Sequence, residues 1–170
     1  RIVGATRIVL SNRKLFDRDT AGGAMHALIM WGFLTLLIGT TILAIDMDIY
    51  QPLTGLTGTE RSFFVGDFYL SYSFVMDAMG LLFVVGVGVA LYRRYAAREE
   101  RLWGKHTSAE DDLFIWALFL LGVGGYLTEG IRILGTGFPD FETVSFVGWF
   151  LAEGLAVAGM TESLAATVYP

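Results

Sequence analysis

Four long apolar blocks constrain this chain more than any other feature. They run over about 22–45, 68–92, 111–134 and 144–168. A hydrocarbon core of about 30 Å is crossed by a helix of about 20 apolar residues, and each block reaches that length. Backbone N–H and C=O groups in lipid must bond within the segment, so blocks of this length span only as helices. A helix of a soluble bundle carries a polar stripe at helical period, and 36–44 and 79–91 carry none. The expected fold is therefore an all-α integral membrane bundle of four transmembrane helices, a fragment of a longer domain of five or more spans. Residues 1–19 form a basic segment expected to lie in the membrane interface, and 20–170 form the membrane domain. The fourth block is the most interrupted, by Glu153 and Glu162.

Composition agrees with this reading and excludes several functions. Hydrophobic residues make up 54% of the chain and charged residues 17%, against about a quarter charged in soluble domains. There is no cysteine, so the chain itself holds no disulfide, thiolate zinc site or iron–sulfur cluster. A net charge of −5 without a basic face excludes a nucleic-acid partner. The chain opens at Arg1, which is expected of a piece of a longer polypeptide.

Basic residues fix an expected orientation. Arg1, Arg7, Arg13, Lys14 and Arg18 precede the first block, and Arg93, Arg94, Arg98, Arg101 and Lys105 lie between the second and third. Only Arg61 and Arg132 fall on the other side. The positive-inside rule then places both termini and the 93–110 loop in the cytoplasm of a plasma-membrane protein. Tyr50, Tyr69, Tyr72 and Trp149 fall where an outer aromatic belt would lie, and Tyr92, Tyr95, Trp103 and Tyr169 where an inner one would.

Few side chains within the blocks could carry chemistry. His26, one to two turns inside the cytoplasmic end of the first block, is the one histidine within a block; His106 falls in the central loop as a solvated residue. A neutral imidazole in a bundle suits haem iron, and it equally suits a hydrogen bond to a neighbouring helix. Asp77, Glu129, Arg132 and Glu153 are ionisable residues inside or at the edge of the blocks, all at depths in the outer half. Such residues are costly in lipid and are expected to face the bundle interior and pair. They form either a structural ion-pair cluster or a polar pocket for a quinone headgroup and its protons.

The segment Ala21-Gly22-Gly23-Ala24-Met25-His26, with Trp31-Gly32-Phe33 and Gly39-Thr40, resembles the first haem-bearing helix of a membrane cytochrome b family. That family comprises the gamma subunit of respiratory nitrate reductase and the membrane subunits of heterodisulfide-reductase-like complexes. Asp77-Ala78-Met79-Gly80-Leu81 through Tyr92-Arg93-Arg94-Tyr95 is similar to its next helix. Asp111-Asp112 through Tyr126-Leu127-Thr128-Glu129-Gly130-Ile131-Arg132 is similar to the one after. The resemblance implies a b-type cytochrome that exchanges electrons between membrane quinone and a cytoplasmic iron–sulfur protein or domain. It implies that His26 is an axial ligand of haem b, with the second ligand outside this chain. It also implies a part of an oxidoreductase complex, not itself catalytic as this piece. Two other readings stay open: a cofactor-free membrane anchor or assembly subunit, and a proton-coupled transporter fragment. The last expects a discontinuous helix at mid-membrane, and no Pro interrupts any block.

Overall fold

A computed structural model describes residues 16, 19–56, 58–59, 61–97 and 109–169. The interfacial segment expected at 1–19 and the loop residues Arg98, Arg101, Lys105 and His106 lie outside these, apart from Phe16 and Asp19. The described residues are helical and contain no strand. Helix α1 (Thr20–Ala44) continues through a π-helical turn (Ile45–Tyr50) into the short α2 (Gln51–Gly55). Helix α3 (Gly66–Leu91) ends in a second π-helical turn (Tyr92–Ala96), and α4 (Ala109–Gly135) follows. A 3-10 turn (Asp140–Val144) leads into α5 (Phe146–Val157) and α6 (Glu162–Val168). Three stretches, Thr20–Gly55, Gly66–Ala96 and Ala109–Gly135, are long and apolar enough to cross a membrane.

The distribution of polarity is that of a membrane protein. Every buried residue of α1 is a glycine: Gly23, Gly32 and Gly39. Trp31, Phe33, Leu37, Ile38 and Leu43 of the same helix are exposed. Asp46 and Glu142, each 1% exposed, lie inside with Asp77 and Arg93. In water this inversion would leave large apolar patches exposed while charges lost their hydration. In lipid, small residues let helix backbones approach and charges turn inward to pair. The α1–α3 seam shows how close the approach is. A Cβ added at Gly32 would stand 2.7 Å from the Phe83 Cβ and 2.9 Å from the Met79 carbonyl oxygen. On the other flank of α3, a Cβ at Gly122 of α4 would stand 2.7 Å from a Val84 methyl group.

Ionic clasps hold one end of the three long helices. The Asp19 side chain caps α1 by accepting from the Gly22 N–H at 3.1 Å, and it also takes a salt bridge from Arg93 at 2.5 Å. Arg94 Nε pairs with Asp112 Oδ1 at 2.5 Å, and the Tyr95 hydroxyl donates to the same oxygen at 2.8 Å. Two neighbouring arginines of the π-helical turn that ends α3 thus fasten α1 and α4. At the far end of α1, the Asp46 carboxylate accepts from Gln51 Nε2, Ser62 Oγ and the Phe63 N–H at 2.7, 2.7 and 3.0 Å. That buried acid shapes the connection to α3.

The expected fourth span over 144–168 is not one helix. α5 has 12 residues, a rise of about 18 Å at 1.5 Å per residue, short of the hydrocarbon thickness. It stops in a Schellman turn: Met160 N–H donates to the Leu155 carbonyl, Gly159 N–H to that of Ala156, and Gly159 sits at φ 95°. Thr161 then caps α6, accepting from the Leu164 N–H at 3.3 Å. α5 crosses α4 where Gly130 meets Leu151 and Ala152, and α6 folds back so that Ala165 and Ala166 lie against Gly135. Ile133, Leu134, Ala152 and Ala165 form the buried cluster there. Residues 162–168 therefore lie at the Gly135 end, and not beside Asp19 and Arg93 as a continuous fourth span would place them.

Candidate functional site

α1 and α4 each pack chiefly on α3. The groove between them, floored by α3, holds a cavity of about 700 Å³. Its walls are apolar, with Phe33, Leu36, Leu37 and Leu43 from α1, Met76 and Phe83 from α3, and Leu121 from α4. Gly80, Gly122 and Gly125 keep the groove wide. Toward the Gly135 end the lining turns polar, with Tyr69, Tyr72, Ser73, Asp77, Tyr126, Glu129, Arg132 and Ser145.

Arg132 organises that polar end. Its Nη1 and Nη2 each donate to Glu142, to Oε1 and Oε2, at 2.7 Å. Its Nε and Nη2 donate to Glu129 at 3.0 and 2.8 Å. The guanidinium thus serves two carboxylates in fork geometry, the strongest form of this pairing. The Tyr69 hydroxyl donates to Glu142 Oε1 at 2.7 Å and ties α3 into the cluster. Glu129 and Arg132 meet because they sit three apart on one helix face. Glu142 arrives from the 3-10 turn.

Asp77 does different work. Its Oδ2 accepts from the Val147 N–H at 2.8 Å and its Oδ1 from the Gly148 N–H at 3.3 Å. These are amides of the first turn of α5, which no intrahelical carbonyl can satisfy. Asp77 lies 11 residues into α3, about 16 Å from its start, so α5 begins well within the depth of the bundle. A carboxylate from another helix supplies the cap, and its negative charge meets the positive end of the helix dipole. The Ser73 and Ser145 hydroxyls bond to each other at 2.5 Å one turn above, and the Tyr126 hydroxyl donates to the Asp77 carbonyl.

The structure thus brings together three of the four acid–base residues singled out in the sequence: Asp77, Glu129 and Arg132 line one cavity. Glu153 is not among them. It is exposed on α5 and accepts from Trp149 Nε1 at 2.9 Å. Glu142, which the sequence does not single out, is the buried partner of Arg132. No periodicity could have signalled it, because the turn carrying it has none. His26 is exposed on α1 and does not line the cavity. It is the single histidine among the described residues, and these contain no group of three or more His, Cys, Asp or Glu side chains arranged to hold a metal.

Fold and cavity define a multi-pass helical membrane protein with an amphiphile-shaped groove. The chain is similar to the EtfAB:quinone oxidoreductase of Syntrophomonas wolfei subsp. wolfei (strain DSM 2245B / Goettingen), with 34% identity over 116 residues. The match covers 68% of this chain and 15% of that protein, so the chain corresponds to a small part of its relative. No protein-family model and no solved structure matches the chain.

The capping role of Asp77 predicts a graded response. Asp77→Ala leaves two buried amides without an acceptor and should cost about 1–3 kcal/mol. Asp77→Asn keeps one acceptor oxygen and should cost less. Thermal unfolding in lipid nanodiscs measures both, and equal stability of wild type and Asp77→Ala would remove the cap.

Proposed function

We propose that this chain is the quinone-binding membrane portion of a quinone-linked oxidoreductase. The cavity carries the reading: about 700 Å³, apolar along the helices and polar at one end. A quinone has that shape, with a flat polar ring on an apolar tail. Sites for such ligands are mostly apolar clefts with a few converging polar groups. The name of the similar protein, a quinone oxidoreductase, supports the same ligand. In this reading the ring sits near Arg132, Glu129 and Asp77, and the tail lies between α1 and α4. Glu153 has no part in it.

The finer assignment is an electron-transfer role between that quinone and a cytoplasmic iron–sulfur module, by way of haem b on His26. It rests on the sequence resemblance. The clusters belong to a partner or another domain, since the chain has no cysteine. Haem at His26 needs an opposing ligand from outside the described residues. The exposed position of His26 favours, as a second reading, an anchor without cofactor. The end of the bundle bearing Arg93, Arg94 and Asp112 is assigned to the cytoplasm on the Lys/Arg asymmetry.

Three outcomes test these points. Gly125 lines the cavity, and a Cβ there would meet no atom within 4 Å. Gly125→Leu should therefore fold normally yet weaken binding of a short-tailed quinone at least about tenfold, or 1.4 kcal/mol. Calorimetry in nanodiscs reads the affinity, and undiminished binding would move the quinone elsewhere. In the full-length protein, His26→Ala should abolish the b-type signal of the reduced-minus-oxidised spectrum. An unchanged signal at matched protein level, or no signal in the wild type, selects the anchor. Ala97→Cys should react with an impermeant maleimide only after sealed cells are opened, whereas Thr59→Cys reacts from outside; the reverse pattern inverts the orientation.

A further inference from the structure

We infer that the cavity binds the reduced, hydroquinone form of its ligand more tightly than the oxidised quinone; this deepens the quinone reading and rests on it. The argument is a census of donors and acceptors at the polar end. A quinone carbonyl only accepts hydrogen bonds, whereas a hydroquinone hydroxyl can donate. The donors lining the cavity are largely committed. The Tyr69 hydroxyl goes to Glu142, that of Tyr72 to the Gly39 carbonyl, that of Tyr126 to the Asp77 carbonyl and that of Thr40 to the Leu36 carbonyl. Four of the five N–H groups of Arg132 are spent on Glu129 and Glu142. What is left is one Arg132 N–H, one hydroxyl proton of the Ser73–Ser145 pair and the exposed Tyr169 hydroxyl.

The acceptors are not exhausted. Each carboxylate oxygen has two lone-pair sites. Each Glu129 oxygen receives one N–H, from Arg132, and each Asp77 oxygen receives one, from α5. Both side chains line the cavity. Charge points the same way, because the two carboxylates that line the cavity, Asp77 and Glu129, stand beside one guanidinium, and Arg132 is shared between Glu129 and Glu142. A hydroxyl donating to an ionised carboxylate makes a charge-assisted bond, roughly twice as strong as a neutral one. A quinone oxygen facing the same carboxylates is repelled. The walls accept both forms alike, so the polar end alone sets the preference.

The test compares the two forms of one probe on the full-length protein in nanodiscs. Dissociation constants of a short-tailed benzoquinone and of its hydroquinone are measured anaerobically by calorimetry. The hydroquinone is expected to bind at least about tenfold tighter, which raises the midpoint potential of the bound two-electron couple by about 30 mV. Glu129→Gln puts an N–H₂ donor where an acceptor oxygen stood, and the ratio should fall toward one. A merely structural role for Glu129 would weaken both forms equally and leave the ratio unchanged. Asp77→Asn should lower the ratio in the same direction and serves where Glu129→Gln does not fold. Equal affinities in the wild type, or tighter binding of the quinone, overturn the inference while leaving the quinone site in place. Binding of neither form overturns the quinone site and the inference together.

Discussion

The carboxylate of Asp77 sits where a helix begins inside the bundle, and the architecture of that end depends on it. α5 starts about 16 Å along α3, where Asp77 and Gly148 are buried and the amides of a first helical turn need an acceptor from the protein. Those amides would each cost free energy in an apolar medium if left bare. Asp77 accepts two of them, from Val147 and Gly148. Once that start is fixed, the preceding 3-10 turn is held against α3, and Glu142 comes within reach of Arg132 and Tyr69. Ser145, directly after that turn, lines the cavity. The charges in this region therefore support each other. Asp77 is compensated by a helix terminus, Glu129 and Glu142 by Arg132, and Arg132 by both.

A contrast between the two ends of the bundle follows from the same physics. At the Asp19 end the ionic contacts among the described residues include clasps between neighbouring helices, Arg93 to Asp19 and Arg94 with Tyr95 to Asp112. Their task is alignment. At the Gly135 end the acids outnumber the cation, hydroxyl groups interleave with them, and an open volume lies against them. An excess of buried acceptors beside a cavity is costly for stability alone, which is why this end and not the other is read as functional.

The three long spans were legible from the sequence because hydropathy over 20 residues is a strong, additive signal. The pairing of Arg132 with Glu129 was legible from their spacing, and the placing of Asp77 beside them from equal depth. The fourth block was misread for a specific reason. Its composition is mostly apolar despite Glu153 and Glu162, and no Pro breaks it. The stop is instead written as Gly159 followed by Thr161, a Schellman glycine and then an N-cap, and such a pair weighs little in a hydropathy average. Glu142 was illegible because its partner lies across a turn whose path depends on tertiary contacts. Glu153 was grouped with the others by depth, which does not record that it lies on the exposed side of α5 beside Trp149. For His26, residue type suggested a ligand, and its exposure on α1 is a property of the packed bundle that no single helix records.

The cavity lies between α1 and α4, and some of its lining side chains, such as Leu37 and Leu121, are exposed on the faces that meet acyl chains. A molecule that dissolves in acyl chains would enter there sideways, in two dimensions, without passing through water. Its occupancy is then governed by its mole fraction in the membrane and not by its concentration in the buffer. Adding lipid dilutes such a ligand at constant total amount. Affinities for this groove become comparable between preparations only when expressed per lipid, and a weak constant on that scale is compatible with a groove that is filled throughout life in a membrane where the ligand is abundant.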